Sequence, residues 1–122
     1  MTIQARLTVA GLSAVTAKAI TGTTANALTA TGSTQAGALP LPADTCKFTT
    51  VGSGTGALIP PSNPGDAGTV YNGGANALLL YPPVGGTING LSANAGYSIA
   101  TATPYCEWVC VDPVTFLASQ AA

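Results

Sequence analysis

The chain has no histidine and few charges, with three Lys or Arg and four Asp or Glu residues among 122. Histidine is the side chain that most often serves in general acid–base work or activates a nucleophile. Asp44 and Asp66 stand in predicted turns, where Asp commonly bonds nearby backbone. Glu107 and Asp112 are an odd number of positions apart and point to opposite faces of a regular strand. We therefore expect no enzyme and no cofactor.

Scarcity of charge is the strongest feature of the composition. Charged residues make up 6% of the chain, whereas about 25% is usual. The surface must therefore consist largely of Thr, Ser, Asn, Gly and Ala, which suits packing into an assembly. Nucleic acid is not expected as a partner, because phosphate neutralisation needs clustered Lys and Arg.

Long apolar runs are also missing. No stretch approaches the ~20 apolar residues of a membrane span, and the longest candidate, Ala77 to Tyr81, ends at Pro82. Met1 to Ala10 lacks the basic start and continuous apolar run of a signal peptide. The expectation is an unprocessed chain with no membrane partner.

Large aliphatic side chains are few. Leu, Ile, Val and Phe together number 26, and the high hydrophobic fraction owes more to 22 alanines. With a net charge of only −1, self-repulsion does not favour disorder. The composition indicates one domain with a thin core, of the kind that is often completed by oligomerisation.

Three cysteines are present: Cys46, Cys106 and Cys110. An odd count argues against a closed intramolecular disulfide framework. We interpret them as small buried hydrophobes. The alternative, a metal site, has weak support because the chain lacks histidine and the usual Cys-x-x-Cys spacing.

The stretch from Val70 to Cys110 alternates short β-prone runs with turn signals such as Asn89-Gly90. An Asn-Gly pair supplies the positive φ that a tight turn needs. Runs of this length at roughly ten-residue spacing are typical of a small antiparallel β-sandwich or barrel, jelly-roll-like in type. We predict a mainly β domain over residues 43–122.

Residues 1–42 differ in character and are predicted to form an extended N-terminal arm. Thr2 to Val9 alternates like a strand, and the spacing from Leu12 to Ile20 favours one short helix that Gly22 would end. Thr21 to Ala38 is rich in Thr, Ala, Gly and Ser, which fits either a linker or an arm ordered by a partner. We favour the arm. Leu39 to Pro42 is a rigid extended joint.

Two further patterns have competing interpretations. Ala-Asn-Ala occurs at 25–27, 75–77 and 93–95, and each copy predicts a bend whose Asn bonds nearby backbone, with chance in an Ala-rich chain as the alternative. The aromatic residues could form a platform for sugars, but are more often core and interface anchors. These residues are Tyr71, Tyr81, Tyr97, Tyr105 and Trp108.

Residues 70–102 read VYNGGANALLLYPPVGGTINGLSANAGYSIATA. The hydrophobic strand, Tyr-Asn turn, Tyr-Pro pair, Gly-x-Ile-Asn turn and Ala-Asn-Ala before an aromatic resemble small structural proteins of tailed-phage virions. The types concerned are capsid decoration (cement) proteins and head-fibre modules. The resemblance implies a non-enzymatic, mostly β homotrimer on the capsid exterior, made in the bacterial host cytoplasm, with the major capsid protein as partner. It carries over no catalytic residue.

Two sets of candidate residues follow. Capsid docking is assigned to the arm, residues 1–42, and the docking candidates within it are Ile3, Leu7, Val9 and Leu12. The candidates for the core or the trimer contact are Leu78, Leu80, Tyr81, Ile88, Tyr97 and Trp108. The alternative function, from another class, is a receptor- or glycan-binding module of a head fibre or tail fibre.

Overall fold

The computed structural model describes Gly11, Ser13 and residues 22–122. Over these residues the chain is mainly β, and two mixed sheets form a sandwich-like fold, so the predicted fold class is confirmed. The strands are β1 (Thr24–Thr29), β2 (Leu39–Pro40), β3 (Thr45–Thr50), β4 (Gly56–Leu58), β5 (Ala67–Asn72), β6 (Leu78–Tyr81), β7 (Thr87–Ile88), β8 (Tyr97–Ile99), β9 (Tyr105–Asp112) and β10 (Thr115–Ala121). A short 3-10 turn covers Gln35–Gly37.

The chain winds between the two sheets. One sheet has the order β1-β3-β5-β9-β10-β7 and the other β2-β4-β6-β8, so each successive strand as far as β9 changes sheet. Thr24 lies beside Thr45, and Thr45 beside Thr69, in consecutive windings of the six-stranded sheet. Because each winding returns in the same direction, the early strands of both sheets are parallel.

Strand pairing is where the antiparallel prediction needs correction. Antiparallel pairing holds for β5–β9, β9–β10 and β6–β8, whereas the remaining neighbours, including β7–β10, are parallel. Asn89 and Gly90 do have the expected positive φ, of 52° and 76°, but their turn joins strands of opposite sheets. A tight turn requires the same backbone geometry whether the next strand pairs with the last or crosses to the other layer, so turn signals do not distinguish the two.

The core lies between the sheets. In β9 the side chains alternate, with Cys106, Trp108 and Cys110 buried and Glu107 exposed. Phe48 of β3 and Phe116 of β10 are fully buried beside them. From the four-stranded sheet Leu78, Leu80 and Ile99 point into the same layer.

Residues 22–42 belong to the sandwich. Strand β1 pairs in parallel with β3, and β2 pairs with β4. Ala25 and Leu28 pack against the core, so the Thr- and Ala-rich stretch is ordered on the chain's own sheet, which corrects the arm predicted for it. The predicted strand Thr2 to Val9 and the short helix lie outside the described residues.

Asparagine side chains tie successive windings together. Asn72 is buried, and its Nδ2 donates to the carbonyls of Asn76 and Ile99, both at 2.9 Å. The Nδ2 of Asn76 donates to Val51 O at 2.9 Å, which belongs to the preceding winding. Such bonds satisfy backbone groups at the turns, where no sheet partner is available.

The three Ala-Asn-Ala copies all lie at turns or bulges, but their bonds differ. Asn26 accepts from the adjacent Ala27 N at 2.8 Å, as the local-bend interpretation predicts. Asn94 has φ 66° and accepts from the distant Gly85 N at 2.6 Å. Asn76 bonds Val51, as above, so two of the three asparagines act over long range rather than locally.

Candidate interaction surface

The side of the six-stranded sheet that faces away from the four-stranded sheet is called the outer face here. Strand register arranges its outward side chains in three rows across β3, β5, β9 and β10. The rows are Ala67–Val109–Leu117, then Thr45–Thr69–Glu107–Ser119, then Lys47–Tyr71–Tyr105–Ala121.

Apolar side chains on the outer face are unusually exposed. Leu117 is 50% exposed, Tyr105 44% and Tyr71 36%, and Val109, opposite Leu117, is half-buried. A sheet with one solvated face normally places polar residues outward. Neighbouring apolar side chains on such a face are characteristic of interaction sites.

Two opposite charges accompany this apolar surface. Lys47 Nζ lies 5.9 Å from the centre of the Tyr71 ring, and Tyr71 meets Tyr105 edge-to-face with 6.5 Å between ring centres. Within the described residues, the side chain of Glu107 makes no hydrogen bond or ion pair. The face therefore presents Lys47 and Glu107, neither of them in an ion pair within the described residues, and the Asp44 carboxylate lies at its end beside Thr45.

A shallow groove of about 520 Å³ follows the middle row of the outer face. Its walls include Thr69, Glu107 and Ser119, and Leu117 lies at one side. The groove offers hydroxyl and carboxylate groups between an apolar row and an aromatic row. That chemistry can bind an extended polar chain or the side chains of another protein.

A second groove of about 330 Å³ lies near Pro60, Pro61 and Asp66. Asp66 Oδ2 accepts from Asn63 N at 2.8 Å, as predicted for an Asp in a turn. Asp44 Oδ2 instead accepts from Thr23 N at 2.8 Å and from Thr23 Oγ1 at 3.0 Å. Both carboxylates thus hold the backbone in place.

The cysteines are free and buried, as predicted. Burial raises the pKa of the Cys106 thiol to about 11, with a further contribution from the neighbouring Glu107 carboxylate. Burial also raises the pKa of Cys46 and of Cys110. Among the described residues no group of three His, Cys, Asp or Glu side chains is placed to hold a metal ion, and no helix is long and apolar enough to cross a membrane.

The structure separates the candidate residues of the sequence analysis from the outer face. Leu78, Leu80 and Ile88 are fully buried within one chain, Tyr81 and Trp108 nearly so, and Tyr97 is half-buried against the core. Their side chains therefore serve the single chain's core and present little surface to a second chain. The docking candidates Ile3, Leu7, Val9 and Leu12 lie outside the described residues.

Sequence reasoning missed the outer face, although one signal was present. The β9 sequence Tyr105–Asp112 carries Cys106, Trp108 and Cys110 inward while placing Val109 and Val111 outward. A strand that is apolar on both sides is typical of burial on both sides. Lys47 and Leu117 could not be assigned to the same surface without knowing that β3 and β10 flank β5 and β9.

Comparison of the chain with protein-family models, with curated proteins and with solved structures gave no match.

Proposed function

We propose that this chain is a non-enzymatic structural protein of a tailed-phage virion. It decorates the outside of the capsid as a homotrimer, binds the major capsid protein and stabilises the head. The observation that carries the proposal is the outer face, an exposed sheet surface with large apolar side chains and few charges. A surface of this kind suits a subunit of a permanent assembly, whose contacts are more apolar than the average protein surface.

The position of the resembling residues also supports a structural role. Asn72 and Tyr81, which belong to the Tyr-Asn and Tyr-Pro pairs, are both buried. Asn72 donates to the carbonyl of Asn76 in a turn and to that of Ile99 at the end of β8. Ile88 of the Gly-x-Ile-Asn turn is fully buried. The residues that resemble those of the virion proteins therefore stabilise the fold. This is expected where the likeness between proteins is one of architecture.

Attachment to the capsid is proposed to use the N-terminal residues 1–21. They precede β1, which is an edge strand of the six-stranded sheet. A segment with the alternating pattern of Thr2 to Val9 can add as a strand to the sheet edge of a neighbouring protein through main-chain hydrogen bonds. Three such segments per trimer raise avidity well beyond that of one contact, provided the lattice allows simultaneous engagement.

A second candidate function, glycan or receptor binding by a fibre, is favoured by the exposed rings of Tyr71 and Tyr105, which lie in the row next to the groove and outside its walls. Tyrosine rings and hydroxyl groups together suit a sugar chain. This function requires the outer face to be free in the particle, whereas a trimer contact through that face would cover it.

Copy number distinguishes the two functions. Purified particles are digested and the chain is quantified against the major capsid protein by mass spectrometry with labelled standard peptides. A decoration protein is present in hundreds of copies per particle, in a fixed ratio to the capsid protein. A count of only a few copies would overturn the proposal in favour of a fibre module.

A further inference from the structure

We propose that the outer face is the surface through which three copies of this chain associate, with Lys47 of each subunit paired with Glu107 of the next. The inference rests on the homotrimer of the proposed function and specifies where its contact lies. It replaces the buried candidates of the sequence analysis with residues that a second chain can reach.

The apolar part of the face supplies the stabilising contact. Leu117 and Val109 lie opposite each other in the first row and Tyr105 lies in the third, on the adjacent strands β9 and β10, and Leu117 and Tyr105 are close to half exposed in the single chain. Covering such side chains stabilises an association because apolar surface is removed from water. Exposed aromatic rings are also enriched among the residues that anchor protein interfaces.

The two charged side chains of the face determine how neighbouring subunits are oriented. Lys47 is on β3 and Glu107 on β9, two strands and one outward position apart, which places their Cα atoms roughly 12 Å from each other. Within the described residues the two side chains form no ion pair with each other, and Lys47 lies near the Tyr71 ring. In a closed ring of three subunits every Lys47 can meet Glu107 of the next subunit. Three ion pairs then form, and no Lys47 or Glu107 is left unpaired.

A second copy fits this surface better than a partner of one charge sign. The face carries the cation Lys47 and the carboxylate of Glu107, with the Asp44 carboxylate also lining the groove, among apolar and hydroxyl side chains, so a second copy can meet each charge with an opposite one. A nucleic acid or an anionic membrane would require an excess of Lys and Arg. An exposed ion pair contributes little energy alone, but placing like charges opposite each other disfavours the wrong arrangement.

A charge exchange tests the proposal on the full chain. Lys47→Glu, Glu107→Lys and the double variant are compared with the wild type by light scattering coupled to size exclusion over a dilution series. We expect each single variant to raise the concentration at which the trimer dissociates by about tenfold or more, because three like-charged contacts form at once. In the double variant the concentration at which the trimer dissociates should be within about threefold of the wild-type value, since each ion pair is restored with its two charges exchanged.

An apolar pair of variants completes the test. Leu117→Glu should abolish association, whereas Leu91→Glu, at a similarly exposed leucine outside the outer face, should leave the trimer intact. Near-ultraviolet circular dichroism of Trp108 checks that every variant is folded.

Two results would overturn the assignment of the face. One is a trimer that neither single charge variant nor Leu117→Glu weakens. The other is a double variant no better than the singles, which would remove the Lys47–Glu107 pairing. Either result would contradict the assigned surface without contradicting the homotrimer. A wild type that keeps the 11.9 kDa mass of one chain at every concentration would remove the homotrimer as well, while binding to the head would remain to be judged by copy number.

Discussion

Gly68 stands directly opposite Trp108 in the β5–β9 pairing, and the indole occupies the space where a side chain at position 68 would begin. A Cβ built on Gly68 would lie 2.7 Å from Cε2 and Nε1 of Trp108. The indole also contacts the Phe116 ring, with 6.2 Å between ring centres. This one glycine therefore leaves the space that the largest side chain of the core occupies beneath the outer face.

Gly68→Ala should destabilise the chain by about 1–3 kcal/mol, because the indole must move within a packed core. Urea unfolding followed by the fluorescence of the single tryptophan measures the change. Gly52→Ala is the matched control, since its Cβ would meet only Thr55 side-chain atoms, at 3.5 Å or more. Equal stability of the two variants would contradict the packing described for Trp108.

Asn72→Asp should cost more than about 2 kcal/mol of unfolding free energy. Asn72 donates two hydrogen bonds to backbone carbonyls, and an ionised carboxylate can donate neither, which leaves buried acceptors unpaired. The loss should shrink as pH falls. Burial beside carbonyls raises the folded-state pKa of the introduced carboxyl, and the neutral acid can donate one bond.

Asn94→Asp is the control for that substitution. Asn94 acts through Oδ1, which accepts from Gly85 N and from Gln35 Nε2, and a carboxylate keeps both acceptor roles. Thermal unfolding of both variants across a pH series compares them. If Asn94→Asp proves as damaging as Asn72→Asp, the donor role assigned to Asn72 is wrong.

The three cysteines should be dispensable for assembly. Replacing all of them by Ala is expected to leave the trimer intact, at a packing cost of about 1–3 kcal/mol per buried site. In the folded wild type, thiol reagents should react slowly at neutral pH, because the reactive form is the thiolate. Tightly bound stoichiometric zinc, or loss of the trimer on replacement, would show that the cysteines have another role.

Alkaline pH should weaken the fold through Cys106. Its pKa is raised from 9.0 to about 11 in the folded chain, so its stabilising contribution is complete below pH 9 and is lost as pH rises toward 11. The expected loss is on the order of 2 kcal/mol. Unfolding measured in urea at several pH values should show a smaller decline for Cys106→Ala than for the wild type. An identical decline would mean that Cys106 does not titrate in this way.

Binding to the head should depend on the N-terminal residues and little on salt. Residues 1–20 contain only Arg6 and Lys18 as charged side chains, so screening, which shortens the Debye length from about 10 Å at 0.1 M to about 3 Å at 1 M, has few charges to act on. Co-sedimentation of the full chain and of a chain without residues 1–20 with undecorated heads, at both salt concentrations, measures this. Undiminished binding of the shortened chain would exclude these residues as anchor, and loss of full-length binding at 1 M salt would exclude an apolar mechanism.

Local patterns predicted part of the fold and long-range pairing decided the rest. The in-and-out alternation of Cys106, Trp108 and Cys110 and the positive φ of Asn89-Gly90 depend on neighbouring residues, and both could be read from the sequence. Strand β1 could not, because Thr24–Thr29 consists mainly of small residues and is held by pairing with β3. The outer face depends on which strands adjoin β5 and β9, so Lys47, Glu107 and Leu117 become neighbours only in the folded chain.

Cryo-electron microscopy of the intact particle is the decisive test of capsid decoration. We expect three-fold densities at regular positions on the outside of the capsid, each accommodating three copies of the sandwich, with additional density from residues 1–21 reaching the capsid protein. Density for this chain at the tail or at a fibre tip, with a bare capsid surface, would contradict it.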